Sequence, residues 1–258
     1  MTGLATELFP ALGPALSDAA HDRLVALAEE VIADPTRIRV HHPAAARVVG
    51  RGPLDPSDPT GLLGPTLDDA VRVVLVVALA RALTDDRAAL VCEVGDLYRY
   101  GDGDEKRAVL RALPRLDIGG GGLPLVSDAL RANDVRLVAA ALGPYAAWHL
   151  PDEPWRQGVL KCLFVGVPLE AVAGLAERAD AGLARMVADY CHERVAAGRD
   201  VPVDVWLVLD RHPRVVDESP LRGELTSSYA DRRAAAERFF HGRESAASRA
   251  DHRSTKEA

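Results

Sequence analysis

The chain has 258 residues, of which 48% are hydrophobic and only 5% aromatic, and its formal net charge is −7. This length corresponds to one large domain or two small ones, with enough residues for a substantial core. The apolar residues are mainly small ones suited to close helix contacts, which argues against an all-β sandwich or barrel. The excess of acidic residues argues against a surface that coats nucleic-acid phosphates, so we expect no nucleic-acid partner.

The three cysteines, Cys92, Cys162 and Cys191, are far apart and none belongs to a CxxC pair. This spacing predicts neither a disulfide framework nor a thiolate zinc site, and it fits reduced cytosolic thiols. The N-terminal sequence lacks the basic and apolar regions of a signal peptide, and the longest strongly apolar run is far shorter than the ~20 residues of a spanning helix. We expect a cytoplasmic protein, with peripheral association at the inner face of the membrane as a second location.

Apolar residues recur at helical spacing almost everywhere in the chain, which predicts helices over nearly all of it. Ser17 is a predicted N-cap for a helix ending near Ala33, and Asp34-Pro35 supplies an N-cap and a first-turn proline for a second helix. The proline- and glycine-rich segment 50–65 then predicts a loop.

The most apolar predicted helix follows this loop. Thr66 caps it, two acids occupy its first turn where they complement the helix dipole, and apolar residues cover nearly all of its faces. The pattern predicts a central, buried helix. Asp85 or Asp86 and then Asp102 are predicted to start the next two helices.

The second half of the sequence predicts shorter helices, followed by one long one. The predicted segments are 123–132 paired with 135–149, 155–164 paired with 169–178, a long helix from Asp180 to Ala197, and a short one over 202–209. Residues 241–258 are small, polar and charged, and they are predicted to be disordered.

Two stretches, Val109–Pro114 and Val138–Pro144, place a proline just after a similar helical pattern, about 30 residues apart. This period indicates helical-hairpin repeats. The sequence therefore predicts an all-α fold, a HEAT-like stack of helical hairpins, in a single domain over residues 1–240. A closed helical bundle is the alternative.

Five sequence blocks between about residues 45 and 210 carry a family resemblance: Val49–Leu54, Asp128–Leu137, Leu142–Tyr145, Trp155–Leu163 and Tyr190–Arg194. Together they resemble the EboA family of bacterial proteins, most specifically in the string WRQGVLKCLFVGVPL. The resemblance implies a role in metabolite traffic, since family members are encoded beside a membrane prenyltransferase-like protein and beside sugar-isomerase-like and metal-hydrolase-like enzymes. These gene clusters are linked to the movement of secondary-metabolite precursors across a membrane. The resemblance implies no catalytic residues.

Asp189, His192 and Glu193 share one face of the predicted helix that starts at Asp180, because they stand at i, i+3 and i+4. Such a set can bind a divalent metal or act as an acid–base cluster. The favoured interpretation is a solvated, salt-bridged face, since a metal would need a further ligand that nothing in the sequence brings near. We predict no cofactor and no resident metal.

Three other residues are candidates for ligand or partner binding. Lys161 lies in an apolar stretch, where a structural or ligand-contact role is favoured over catalysis. Arg136 stands in the first turn of a helix, where its charge opposes the dipole, and is expected to pair with Asp134 or with an acid of a neighbouring repeat. If the repeats stack in register, Arg136 and Lys161 join Trp155, Asp189, His192 and Glu193 along one groove with an aromatic wall.

No nucleophile elbow, P-loop, HExxH or EF-hand pattern occurs in the sequence, and the glycine run 119–122 is expected to be a flexible connector. These features favour a non-catalytic binding or adaptor protein in a bacterial system that exports secondary-metabolite precursors. Its expected partners are other proteins of the same pathway, including membrane-associated ones, and an amphiphilic small molecule. The alternative is a metal- or acid/base-dependent enzyme that uses Asp189, His192 and Glu193.

Overall fold

A computed structural model describes residues 2–254, with the side chains of residues 5–243. The α-helices are α1 (Thr2–Leu8), α2 (Leu12–Ala15), α3 (Asp18–Ala33), α4 (Ile38–Val49), α5 (Leu67–Ala82), α6 (Arg87–Tyr100), α7 (Gly103–Ala112), α8 (Leu123–Arg131), α9 (Val135–Ala141), α10 (Pro144–His149), α11 (Asp152–Val165), α12 (Leu175–Arg178), α13 (Ala181–Ala196), α14 (Trp206–Leu209), α15 (Pro213–Glu218) and α16 (Ala230–Ser254). Short 3₁₀ helices occupy Pro35–Arg37, Leu113–Arg115, Gly119–Gly122, Leu169–Ala171, Val203–Val205 and Pro220–Thr226. Residues 2–254 contain no strand, only an isolated bridge between Pro53 and Thr66, so the all-α prediction is confirmed.

The chain forms two compact units. The first runs up to Val167 and includes Ala171–Ala173, and the second comprises Pro168–Glu170 and the chain from Gly174 onward. Such units occur within single domains as well as between domains, so one domain over residues 1–240 stays a prediction.

Helix α5 is the centre of the first unit, as the sequence predicts. Its residues from Asp68 to Leu79 are all buried, and it contacts α1, α2, α3, α4, α6 and α7. Thr66 and Asp69 form a reciprocal capping box at its start, with each side chain accepting a hydrogen bond from the other residue's backbone N–H. A helix that is apolar on every face needs neighbours on every side, and α5 has them.

The helices after α5 contact one another in alternation. α5 contacts α7, α7 contacts α9 and α9 contacts α11, while α6 lies against both α5 and α7 and α8 lies against α9. This order of contacts is typical of stacked helical hairpins. The HEAT-like repeat itself stays a prediction.

Two predicted helices are broken in the structure. The segment 135–149 divides into α9 and α10, because Gly143 is extended and Pro144 starts a new helix after it. The segment 169–178 holds only a 3₁₀ turn and the four-residue α12, separated by Gly174 with φ of +71°. The prediction of continuous helices was wrong at both places, because the helical spacing of apolar residues continues across these backbone breaks.

In the second unit, α13 contacts α14, α15, α16 and the 3₁₀ helix Pro220–Thr226. The Trp206 ring stacks on Phe239 with 4.7 Å between their centroids. α16 continues to Ser254, so the helix does not end at residue 241, where the predicted tail begins. Ala, Arg and Glu favour helix even without an apolar pattern. Residues 255–258 of the predicted disordered tail lie outside the described residues.

The glycine run is tied down by one side chain. The Tyr145 hydroxyl donates to the Gly119 carbonyl at 2.5 Å and accepts from the Gly122 N–H at 2.9 Å. A Cβ at Gly122 would lie 3.0 Å from this hydroxyl, so glycine permits the close approach. The expectation of a flexible connector is therefore wrong: these glycines form a 3₁₀ turn anchored to α10.

Replacing Tyr145 with Phe should lower the free energy of unfolding by about 1–3 kcal/mol, because it leaves the buried Gly122 N–H without its acceptor. Urea unfolding of Tyr145→Phe measures this loss. Tyr100→Phe is the matched control, since Tyr100 is exposed and should tolerate the change. Equal stability of the two variants would contradict the anchoring role.

Candidate functional site

Two buried arginines pair with carboxylates at the N-terminal end of α5. Arg72 donates from Nη1 to Asp68 Oδ2 at 2.6 Å and from Nε to the backbone carbonyl of His42 at 3.1 Å. Both members of the Arg72–Asp68 pair are almost fully enclosed. The ion pair lies within α5, and the hydrogen bond to His42 joins α5 to the middle of α4.

The second buried arginine comes from α7. Arg107 Nε lies 2.7 Å from Asp69 Oδ2, and its Nη1 lies 2.8 Å from Asp104 Oδ1. Arg107 Nη2 also donates to the Thr66 hydroxyl at 3.3 Å, so the guanidinium contacts both members of the capping box. A guanidinium with several donors suits such a convergent set of acceptors.

The cluster reaches the surface through Arg136 on α9. Its Nη1 lies 3.3 Å from Asp104 Oδ1 and its Nε lies 3.8 Å from Asp134 Oδ1. Burial acts to raise the pKa of Asp104, but the Arg107 and Arg136 guanidiniums outweigh it and hold that pKa below its usual value. The predicted pairing of Arg136 with Asp134 is confirmed, and Asp104 on α7 is a second partner.

The loop between α4 and α5 is ordered around Asp58. This carboxylate accepts hydrogen bonds from the backbone N–H groups of Leu62, Leu63 and Gly64 at 2.7–3.0 Å. Arg111 of α7 donates to the Gly61 carbonyl at 2.5 Å, which fixes the loop to the same helix that holds Arg107.

His42 lies beside this cluster and is fully buried. Neither ring nitrogen has a hydrogen-bond partner among the described residues. Burial, followed by the charge of Arg72, lowers the pKa of His42 to about 3. The imidazole is therefore neutral at physiological pH.

The other candidates of the first unit have different surroundings. Trp155 is 1% exposed, so its indole lies in the core and not on the wall of an open groove; its spacing in α11 was compatible with either location. Lys161 is half-buried, and its Nζ lies 3.4 Å from the side-chain oxygen of Asn133. Its side chain thus reaches a polar group, as the structural interpretation expects.

Asp189, His192 and Glu193 all lie on α13 in the second unit. Asp189 and Glu193 are exposed, whereas the half-buried His192 places Nε2 3.2 Å from Glu224 Oε1. Among the described residues, no group of three or more His, Cys, Asp or Glu side chains is arranged to hold a metal ion. That the five candidates other than Trp155 line one groove stays a prediction.

The buried cluster was not predicted from the sequence, although one signal for it is present there. Arg72 stands between Val71 and Val73 in a helix whose other faces are apolar. An arginine in such a position requires a buried acid, and Asp68 is one helical turn before it. The partners that come from α7 carry no comparable local signal.

The fold and the cluster define an all-α protein whose central helix is joined to α7 by a buried ion pair and to α4 by a hydrogen bond from a buried arginine. Residues 64–210 match the model of the family described as metabolite traffic protein EboA. Because this match covers more than half of the 258 residues, the chain belongs to the EboA family. The match includes four of the five sequence blocks and begins after Val49–Leu54. No curated protein and no solved structure matches the chain.

Within the described part of the chain, none of the helices combines the length and hydrophobicity that crossing a membrane requires.

The buried state of His42 predicts an acid-dependent loss of stability. Because the unfolded chain binds a proton near the ordinary pKa of 6.5 and the folded chain only near 3, stability should fall as pH drops through this range. One such proton contributes a slope of up to about 1.4 kcal/mol per pH unit. His42→Leu should remove this contribution, so its urea midpoint should fall less steeply with acid than that of the unmodified protein. Parallel pH profiles would show that His42 is protonated equally in both states.

Proposed function

We propose that the protein is a non-catalytic binding or adaptor component of a bacterial system that exports secondary-metabolite precursors. Its partners are other proteins of the same pathway, including membrane-associated ones. Membership of the EboA family supports the connection with metabolite traffic. The surface of the first unit supports the adaptor role.

The observation that carries this proposal is a set of exposed aromatic side chains inside the family-matched range. Tyr100, Trp148 and Phe164 are 78%, 65% and 62% exposed, although aromatic residues are scarce in this chain. Large aromatics bury much apolar surface at little entropic cost, and they dominate the binding energy of protein interfaces. We assign Trp148 and Phe164, which lie on the successive helices α10 and α11, to the partner-binding surface.

Three arginines of the same unit have a structural role and are not available to bind a substrate. Arg72, Arg107 and Arg136 are each paired with carboxylates. A guanidinium that is already compensated by a protein carboxylate has less to gain from a substrate anion. The charge of these three arginines therefore has a structural role.

The second candidate function is an enzyme that uses α13. It is favoured by the contact between His192 and Glu224, because a carboxylate that orients an imidazole is a common acid–base arrangement. Arg232 lies 3.9 Å from the same Glu224 oxygen and competes for its charge.

Trp148→Ala should lower the affinity for the partner by about tenfold, the usual effect of losing an interface anchor. The measurement is co-purification of the tagged chain from native cells with the products of neighbouring genes, followed by titration of the recovered partner. Tyr229→Ala is the matched control, because Tyr229 is 64% exposed but lies outside the family-matched range.

Two results would contradict the proposal. One is equal binding by the Trp148→Ala and unmodified proteins. The other is a stoichiometric metal in the purified protein that is lost in His192→Ala, which would favour the enzyme.

A further inference from the structure

A cleft of about 420 Å³ lies at the C-terminal end of α5, between that helix, the start of α6 and the segment after α7. Its volume is within the range of small-molecule sites. Since α5 rises about 1.5 Å per residue, the cleft begins about 7.5 Å along the helix from Arg72, the nearest member of the buried charge cluster. It shares no residue with that cluster or with the aromatic surface proposed above.

One side of the cleft is apolar. Val77 and Leu90 are buried side chains that line it, and Leu83, the C-cap of α5, adds a half-exposed edge. These three side chains offer a surface suited to an alkyl or ring portion of a ligand.

An arginine on the rim of the cleft, Arg115, contacts an aromatic ring and a backbone carbonyl. Arg115 stacks over the Phe9 ring with 4.7 Å to the centroid and donates to the Arg111 carbonyl at 3.4 Å. Within residues 5–243, no carboxylate pairs with its guanidinium, in contrast to the buried arginines at the other end of α5. The Phe9 contact holds the group in place and leaves most of its donors unused.

A second guanidinium on the rim is held only loosely. Arg87 lies 2.6 Å from Asp117, but the side chains are 60% and 88% exposed. Exposed pairs of this kind contribute little to stability, so an incoming anion can displace Asp117 from Arg87.

We infer that this cleft binds a small amphiphile whose anionic group, a phosphate or a carboxylate, pairs with Arg115 and Arg87 while its apolar body lies on Val77, Leu83 and Leu90. Guanidinium groups match the planar, multi-acceptor geometry of both anions. The apolar side of the cleft excludes a purely ionic ligand as the preferred occupant.

Calorimetric titration of the full chain below micelle-forming concentrations tests this inference with four probes. Octyl phosphate and octanoate carry both features, octyl glucoside carries only the chain, and inorganic phosphate carries only the charge. The first two should bind with one site per chain and about tenfold more tightly than the other two, as expected for one charge-assisted hydrogen bond or its apolar equivalent. The ratio between octyl phosphate and octanoate identifies the preferred anion.

Two variants separate the charged and apolar contributions. Arg115→Gln should weaken the binding of octyl phosphate by about tenfold and leave the binding of octyl glucoside unchanged. Leu83→Gln should weaken the binding of both ligands. Arg131→Gln, on the exposed end of α8, is the matched control and should bind octyl phosphate normally. Circular dichroism confirms that each variant is folded.

The inference is overturned if octyl phosphate binds no better than octyl glucoside or inorganic phosphate. It is also overturned if folded Arg115→Gln binds octyl phosphate as tightly as the unmodified protein. Neither result affects the partner-binding proposal, which is tested through Trp148.

Discussion

A guanidinium group keeps its proton in a protein, so an arginine enclosed by apolar side chains must be met there by a carboxylate. Arg72 and Arg107 both stand in this position. Their partners, Asp68 and Asp69, are neighbours in sequence, and because successive helical positions differ by about 100° they can serve opposite sides of α5. Arg72 also donates to the His42 carbonyl, so this hydrogen bond connects α5 to α4 on one side and the Arg107–Asp69 ion pair connects α5 to α7 on the other. The capping box, the loop before it and the pairing of Arg136 are built around this arrangement.

The strongest local patterns of the sequence predicted the parts of the fold that depend on local energetics. Thr66 followed by two acids and a long apolar run specified the start and the central place of α5, because capping and burial act within a few residues. The breaks at Gly143 and Gly174 were missed, since apolar spacing continues through them. The contact between Asp69 and Arg107 joins residues 38 positions apart, and the bond from Tyr145 to Gly119 joins residues 26 positions apart, so neither leaves a local signal.

The spacing of the candidate residues along the sequence predicted which of them share a helix face, but not which groups they contact. Residues i, i+3 and i+4 on α13 do share a face, as helix geometry requires, but His192 contacts Glu224 from a distant part of the chain. Trp155 and Lys161 lie on one helix, yet one is enclosed and the other reaches Asn133. The exposed aromatics and the cleft at the end of α5 became visible only once burial was known. Within residues 5–243, the arginines at the N-terminal end of α5 pair with carboxylates, whereas Arg115, beside its C-terminal end, does not. The first end therefore has a structural role, and the second is the candidate binding site.

The most direct test of this account is a double-mutant cycle between Asp69 and Arg107, measured by urea unfolding. Asp69→Asn keeps a side-chain oxygen for the capping box and removes the charge. Arg107→Met alone should cost about 3 kcal/mol, because it removes the nearer cation from the buried Asp69 carboxylate and leaves only Arg111, whose Nε lies 3.4 Å from Asp69 Oδ2. In the Asp69→Asn background the same change should cost about 2 kcal/mol less, which is the coupling expected for residues in direct contact. Equal costs in the two backgrounds would show that the buried ion pair does not hold α5 and α7 together.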